Sequence, residues 1–294
     1  MISRVTGRFC AGAGAGGGDV GQRASTGDDG RVAAGGMKSS LRQAAANKFP
    51  ALGKVDRRLR GLIDSISPLR SSYSQHGEDA FVLDRLQKYD LSNAIYVDVG
   101  ANHPTTISNT YLLYRCGMHG IVIEPNAELL QLHRRIRPRD IALGLGCGQN
   151  AGLSQFQILS TPALSHFAGQ NLLGELTAQA RVWRTEYIPI LPLDLIVSAM
   201  NPAWIAFLSI DTEGFDFSTL LGAVQTLDIT LFLCVEFSDP DEKRRILHFL
   251  SGNDFEVERY FACNILLRNT RPKFDRHLFP AIPDHSTGQK PSVA

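Results

Sequence analysis

The amino-acid sequence predicts an α/β domain built on one mainly parallel β-sheet with helices on both faces. From about residue 73 onwards, short apolar and β-branched runs alternate with segments of helical periodicity, which is the order of successive strand–helix units. These runs are apolar throughout, as in parallel strands that are covered on both faces. Two last runs, 255–261 and 264–267, are separated by a turn too short to hold a helix, so one strand must be antiparallel.

The individual elements follow from the apolar runs, the glycines and the helix-capping residues. Polar side chains that can cap a helix stand before several helical segments, namely Ser108 or Asn109, then Asn126, Asp194 and Asp239. In chain order the predicted elements are a helix ending near 88, a strand at 95–99, a helix to about 115, a strand at 121–123, a helix at 126–136, strands at 140–144, 155–159 and 187–191, a helix after 194, a strand at 204–210, a helix at 215–221, a strand at 229–237, a helix to about 250, and the two strands at 255–261 and 264–267.

Segments of different composition flank this domain, which is predicted to span residues 71–270. Residues 1–36 are rich in Gly, Ala, Ser and Asp and hold almost no large apolar side chains, so they are predicted to be disordered. Met37 begins more ordinary sequence, and one hypothesis takes it as the true start of the protein. The tail 271–294 contains four prolines and is predicted to wrap the surface or to be disordered.

Residues 37–70 are predicted to contain a basic amphipathic helix. Over residues 49–67 apolar side chains recur at helical spacing with Lys and Arg between them, and Pro68 ends the pattern. Such a helix packs on its own domain, lies on a membrane surface or contacts a partner, and an oligomer through residues 49–67 is one of these alternatives.

The charge distribution argues against a nucleic-acid partner. Residues 1–70 carry 12 basic and 5 acidic residues, whereas residues 71–294 carry 18 and 24. A domain with an acidic balance lacks the concentrated basic surface that a nucleic-acid groove needs.

The cysteines and the hydropathy pattern predict a cytoplasmic protein. The five cysteines form no CxxC pair, and Cys234 and Cys263 lie in or beside apolar runs, where cysteine behaves as a small hydrophobic residue. No apolar run approaches the about 18–20 residues of a membrane span, and the N-terminus lacks the apolar core of a signal peptide.

A strand–turn–helix–strand unit marks the predicted ligand edge of the sheet. The strand 95–99 stops at Gly100, and the strand 121–123 ends at Glu124, so that Asp98 and Glu124 are acids at strand ends. Ligands of open α/β sheets bind off the carboxyl ends of the strands, and an acid after the second strand is placed to take the hydroxyls of a nucleoside ribose. The alternative is a packing glycine and two helix-capping acids.

Six short motifs of this domain occur together in a fixed order. They are Tyr73-Ser-Gln75, Val97-Asp-Val-Gly-Ala-Asn102, Ser108-Asn-Thr-Tyr111, Gly120-Ile-Val-Ile-Glu-Pro125, Leu193-Asp194 and Ile210-Asp-Thr-Glu-Gly214. This ordered set resembles the successive motifs of the FkbM family of S-adenosylmethionine-dependent methyltransferases over about residues 73–267. The resemblance implies a class I methyltransferase (Rossmann-like) sheet of seven strands with the last one antiparallel, and O-methylation of a hydroxyl on a sugar or natural-product acceptor.

The resemblance also implies a cofactor site for S-adenosylmethionine. Gly100 would let the backbone approach the methionine part, Asp98 would hold the amino-acid end, and Glu124 the ribose hydroxyls. The chain departs from the family at Pro104, where many members have glycine. Because proline has no amide hydrogen and cannot take a positive φ, this loop is expected to bend differently. The predicted cofactor-binding residues are Asp98, Gly100, Asn102, Glu124, Asp140 and Ala142, the last two on the segment that would border the adenine.

The predicted catalytic residues lie at the tip of the strand 204–210 and in the polar insertion 160–184. Asp211 and Glu213 are the first candidates, either as the base that accepts a proton from the acceptor hydroxyl or as ligands of Mg²⁺ or Mn²⁺. The alternative is that they cap the helix beginning near residue 215. His166, in the insertion, and His103 are weaker candidates.

Three functions remain open at this point. A methyltransferase acting on a small-molecule or glycan acceptor is favoured. A nicotinamide-dependent oxidoreductase would share the glycine turn and the ribose acid, but the chain lacks the G-x-G-x-x-G pattern. A non-catalytic binding protein that kept the fold is the third, since a fold does not determine a function.

Overall fold

A computed structural model describes residues 69–160, 165–168 and 181–274 of the chain. The predicted disordered segment 1–36, the amphipathic helix at 49–67 and the tail beyond residue 274 lie outside the described residues. The same holds for most of the polar insertion, including Gln170 and Asn171.

Strands and helices alternate along the described chain as the sequence predicts. The helices are α1 Glu78–Leu86, α2 Tyr111–Arg115, α3 Ala127–Ile136, α4 Leu193–Met200, α5 Asp216–Leu221, α6 Val224–Asp228 and α7 Pro240–Ser251. The strands are β1 Ala94–Val99, β2 Gly120–Ile123, β3 Ile141–Leu143, β4 Gly146–Cys147, β5 Gly152–Leu159, β6 His166–Phe167, β7 Val182–Leu191, β8 Trp204–Ile210, β9 Thr230–Glu236, β10 Phe255–Tyr260 and β11 Asn264–Asn269.

Seven of the described strands form one mixed sheet in the order β10-β11-β9-β8-β1-β2-β3. Strands β9, β8, β1, β2 and β3 run parallel to one another, and β11 runs antiparallel to both β9 and β10. The predicted α/β class with a mostly parallel seven-stranded sheet and an antiparallel last strand is therefore confirmed.

Helices cover both faces of this sheet. Successive residues of a strand point to opposite faces, so each buried strand contributes side chains to both helical layers. On one face Tyr96 packs among side chains that include Val82 of α1 and Leu113 of α2. On the other face Val97 belongs to a cluster that reaches Ile246 of α7. The longest described helix, α7, has 12 residues, and none of the helices in the described ranges has the length and apolar character needed to cross a bilayer.

A second sheet of four described strands, in the order β4-β7-β5-β6, was not predicted as a separate unit. The two strands expected at 155–159 and 187–191 are longer than predicted and pair antiparallel along their whole length. Their inward side chains form a small apolar cluster that packs against Phe215, immediately before α5. The small sheet at the two ends of the insertion therefore packs onto the element that follows β8.

Helix capping confirms two predictions and corrects a third. The side chain of Asn126 accepts a hydrogen bond from the N–H of Glu128, the second residue of α3, and that of Asp239 accepts two from N–H groups in the first turn of α7. Asp194 does not cap its own helix, contrary to the prediction. Its carboxylate accepts from the backbone N–H of Thr226 at 2.7 Å and of Gln225 at 3.1 Å. It thus caps α6, whose own preceding residue is alanine.

The start of α2 also differs from the prediction. The helix begins at Tyr111 after Thr110, one or two residues later than expected. Ser108 still supplies its Oγ to the N–H of Tyr111 at 3.2 Å. Asn109 instead donates its side-chain amide to Ser209 of β8 at 3.1 Å. The Ser-Asn-Thr-Tyr motif therefore joins the end of β1 to β8 as well as starting a helix.

Candidate active site

The carboxyl ends of β1, β2 and β8 meet at one edge of the large sheet. The N–H of Gly100 donates to the carbonyl of Ile123 at 3.0 Å, and the N–H of Asp211 donates to the carbonyl of Val99 at 3.0 Å. The loops that follow these three strands consequently begin side by side, which is where ligands of parallel sheets bind.

Gly100 has a packing reason to be glycine. Its φ is +77°, in the region that favours glycine, and a Cβ at this position would lie 1.8 Å from the carbonyl oxygen of Asp211. The predicted first turn and the predicted acidic turn therefore touch through their backbones. Any side chain at residue 100 would push the two turns apart.

Glu124 is buried at this edge and holds two loops. Its Oε2 accepts from the N–H of Asn102 at 2.8 Å, and its Oε1 accepts from the N–H of Asn126 at 2.7 Å. Burial raises the pKa of Glu124 to about 7. Each carboxylate oxygen can accept two hydrogen bonds, so one acceptor position on each oxygen remains for a ligand.

Asn102 is fixed through its backbone in a left-handed conformation, with φ +46°. Its carbonyl lies 2.9 Å from Nε2 of His133, a buried imidazole on α3. Burial, followed by the charge of Arg137, lowers the pKa of His133 well below its usual value, so the neutral ring donates from Nε2. Sequence reasoning did not single out His133, because it reads as an ordinary residue of an amphipathic helix.

Asp98 points into the face of the sheet that α2 covers. It is buried, and its carboxylate accepts from the hydroxyl of Thr110 at 2.5 Å. Burial raises the pKa of Asp98, while the charge of Arg137 acts in the opposite direction. Its assignment to the amino-acid end of a cofactor stays a prediction.

The side chain of Asp140 is engaged inside the protein. It forms a fully buried ion pair with Arg137 at 2.7 Å and accepts from the hydroxyl of Tyr96 at 2.6 Å and the N–H of Gly120 at 3.0 Å. Ala142 is half-buried on β3. The carboxylate therefore braces β2 and β3, and a border for an adenine would have to come from the backbone of this segment.

The acidic turn after β8 is joined by a third acid that the sequence did not place there. One carboxylate oxygen each of Asp211, Glu213 and Glu236 lies within 4.8 Å of the other two. Glu236 ends β9, and β9 is the parallel neighbour of β8. Its position at a strand end was visible in the sequence, but the adjacency of the two strands was not.

These acids hold their protons unusually tightly. Burial and the neighbouring Glu236 raise the pKa of Asp211 well above its usual range. Burial, then the charges of Asp211 and Asp216, raises the pKa of Glu213 to about 8, and burial raises that of Glu236 to about 7. Groups of this kind exchange protons near neutral pH, as catalytic acids and bases must.

Asp216, not Asp211 or Glu213, supports the start of α5. Its carboxylate accepts from the N–H of Thr212 at 2.8 Å and of Gly214 at 3.1 Å. The alternative that the two earlier acids are mere helix caps therefore has no support in the geometry. Glu213 adopts a φ of +52°, a conformation that a residue other than glycine rarely takes and that clusters at functional sites.

The two histidines occupy different surroundings. Nδ1 of His103 accepts from the N–H groups of Thr105 and Thr106, each at 3.2 Å, so this ring shapes the loop that carries Pro104. His166 is buried in β6. The ring centroid of the neighbouring Phe167 lies 5.2 Å from that of Phe215. Because successive side chains of a strand point to opposite faces, the side chain of His166 lies on the face away from Phe215. Among the described residues, His166 is not in the converging acid group.

The raised pKa values predict a stability that falls with rising pH. Glu124, Glu213, Asp216 and Glu236 titrate at about 7 to 8 in the folded chain but near about 4 when unfolded. Between these values the folded protein binds more protons, so its free energy of unfolding decreases as pH rises. His133 opposes the trend as a single group, because its pKa is lowered. We expect urea unfolding in EDTA to give at least about 1 kcal/mol less stability at pH 8 than at pH 6. A flat or rising profile would contradict the buried, protonated acids.

Comparison with known proteins identifies one matching family. A family model described as Methyltransferase FkbM domain matches residues 98–260, more than half of the chain. The crystal structure of Methyltransferase FkbM from Methylobacillus flagellatus KT is similar at 16% sequence identity with a TM-score of 0.42, covering 60% of this chain and 43% of that one. The chain thus spans less than half the length of that structure. No curated protein sequence matches.

Proposed function

Because the chain belongs to the FkbM methyltransferase family, we propose that it transfers the methyl group of S-adenosylmethionine to a hydroxyl of a small-molecule or glycan acceptor. One observation carries this proposal most directly. The glycine turn after β1 and the acidic turn after β8 are in backbone contact at Gly100 and Asp211. A cofactor at the first turn would have its reactive end beside a cluster of proton acceptors. The strand order, with β11 inserted antiparallel between β9 and β10, further supports a class I methyltransferase (Rossmann-like) sheet.

The residues at the first turn fit such a cofactor. Glu124 retains one free acceptor position on each oxygen after its two backbone bonds, which matches the two vicinal hydroxyls of a ribose. Asp98 would take the ammonium of the amino-acid end, and the segment at Ala142 would lie along the adenine. When bound, the cofactor supplies a sulfonium-activated methyl group, so the protein has only to orient the acceptor and accept its proton.

Asp211, Glu213 and Glu236 would take up that proton. A carboxylate of the cluster would accept the hydrogen of the acceptor hydroxyl and pass it to water, while the cofactor would supply the methyl group and leave as S-adenosylhomocysteine. A base whose pKa lies near neutral pH is best matched to this task, and the pKa values of Glu213 and Glu236 lie at about 8 and 7. His166, on the neighbouring small sheet, stays a weaker candidate for the catalytic base.

A divalent metal is the alternative use of the same carboxylates. Three oxygens within 4.8 Å of one another suit Mg²⁺ or Mn²⁺, which would replace the shared protons and hold an acceptor through its hydroxyls. Methyl transfer measured with EDTA separates the two roles. Unchanged turnover supports a proton acceptor, and turnover restored by Mg²⁺ or Mn²⁺ supports a metal site.

Calorimetric titration tests the proposed function itself. We expect S-adenosylmethionine to bind and the oxidised and reduced nicotinamide cofactors to give no heat above dilution. Binding of a nicotinamide cofactor alone would favour the oxidoreductase. Binding of none of them would favour a non-catalytic role.

The cellular setting of this activity is also a proposal. Cys147, Cys234 and Cys263 are free thiols, which favours a reducing compartment, and we place the enzyme in the cytoplasm. We expect no nucleic-acid partner, and assembly through residues 49–67 stays a prediction.

A further inference from the structure

A fully buried arginine lies behind the proposed cofactor turn. Arg137 follows α3, where the sequence suggests no more than the end of a helix. Its side chain is 0% exposed, as is that of its ion-pair partner Asp140. A buried charge is costly unless every donor finds an acceptor. The acceptors of this guanidinium are Asp140 at 2.7 Å from Nε, Tyr96 and Thr110 hydroxyls each at 2.9 Å from Nη2, and the Ser108 hydroxyl at 3.4 Å and the Pro104 carbonyl at 3.5 Å from Nη1.

These acceptors belong to both sides of the proposed cofactor site. Pro104, Ser108 and Thr110 lie on the segment between β1 and α2, which begins with the glycine turn. Asp140 immediately precedes β3, the strand proposed to border the adenine. The guanidinium of Arg137 therefore links the segment after β1 to the start of β3 through hydrogen bonds.

The direction of the hydrogen bonds extends this link to Asp98. Arginine only donates, so the hydroxyl oxygen of Thr110 accepts from Arg137. The single hydroxyl hydrogen of Thr110 is then free to reach the carboxylate of Asp98, which it does at 2.5 Å. Asp98 is thereby held as an acceptor, the state needed to bind an ammonium group.

We propose that Arg137 is a positioning residue for the cofactor, which fixes Asp98 through Thr110 and fixes the start of β3 through Asp140. The inference builds on the proposed function, since it assigns a role within the same site. Lysine cannot replace the residue, because a single ammonium group lacks the fork that reaches acceptors on three sides.

Two substitutions and two ligands test this role. Arg137→Lys should weaken both S-adenosylmethionine and 5′-methylthioadenosine, which lacks the amino-acid end, by about tenfold or more, the scale of losing hydrogen bonds to a charged group. Thr110→Val, of similar shape, should weaken S-adenosylmethionine by a similar factor and leave 5′-methylthioadenosine unchanged. Dissociation constants are measured by calorimetry at least 15 °C below each variant's unfolding midpoint.

Leu250→Ala is the matched control for loss of stability. This leucine is fully buried on α7, in the core of the opposite face, and its truncation leaves a cavity that destabilises the fold. It should leave both dissociation constants at the wild-type values. Wild-type affinity in both variants, or equal weakening in Leu250→Ala, would overturn the positioning role.

The outcomes also separate this inference from the proposed function. If Arg137→Lys fails to fold, Thr110→Val decides alone, because equal effects on the two ligands contradict the link to Asp98. If the wild-type protein binds neither ligand, the proposed function fails and this inference fails with it.

Discussion

Asp211→Asn should lower methyl transfer about 100-fold or more while the fold and the affinity for S-adenosylmethionine stay close to wild type. Asp211 begins the turn that contacts Gly100, and its oxygens converge with those of Glu213 and Glu236. Asparagine preserves the size of the side chain but can neither release nor accept a proton, so it removes any part of Asp211 in passing the acceptor's proton to Glu236. The proposed cofactor contacts lie on β1 and β2, so binding should not depend on this charge. Transfer of a labelled methyl group from the cofactor to a cell lysate measures the loss without knowledge of the acceptor.

Asp194→Asn provides the control for a general effect of removing a carboxylate. Asp194 caps α6 from 31 residues earlier in the chain, away from the acid cluster, so this variant should lose some stability but no turnover. Near-normal turnover in Asp211→Asn would be informative as well. The amide of asparagine can donate to Glu236 just as a protonated Asp211 does, so retained activity would assign the base to Glu236 or Glu213. The variants Glu236→Gln and Glu213→Gln would then distinguish those two.

The parts of the fold that could be predicted are those whose signal is local. The runs that became β1, β8 and β9 are apolar on both faces, and such runs specify buried parallel strands without knowledge of their partners. Their ends at Gly100, Asp211 and Glu236 were equally visible. What the sequence could not supply is which strands are neighbours, and this is why Glu236, although it lies at the end of an apolar run, could not be joined to Asp211.

The missed features depend on contacts between distant residues. Asp194 caps a helix more than thirty positions away, although its own helix start looked like a local cap. Arg137 reaches Tyr96 and Thr110 across 41 and 27 positions. Strands β5 and β7 are exposed over much of their length, and they become partners only when the chain is folded. No local pattern encodes such pairings, because their energy appears only when the chain is folded.

Glu124→Ala should weaken S-adenosylmethionine binding by about 1.5–3 kcal/mol, the scale of hydrogen bonds to a charged group. The structure adds a cost that the sequence did not indicate, since the carboxylate also holds the N–H groups of Asn102 and Asn126. Part of the effect should therefore appear as lower stability. Glutamine is not a neutral replacement here, because both oxygens already accept, and an amide would set its own N–H₂ against a backbone N–H.

The matched control for this second role is Asn126→Ala. This variant removes the side-chain oxygen that accepts from the N–H of Glu128 at the start of α3, which should lower the free energy of unfolding by about 1 kcal/mol. It leaves both carboxylate oxygens of Glu124 in place. Calorimetry should therefore show weakened cofactor binding in Glu124→Ala and wild-type binding in Asn126→Ala at comparable unfolding midpoints. Because burial raises the pKa of Glu124 to about 7, wild-type affinity should also decrease as the pH falls from 8 to 6, when the carboxylate becomes protonated. Equal affinity in the two variants would remove Glu124 from the ribose site and leave it as the brace between the loops after β1 and β2.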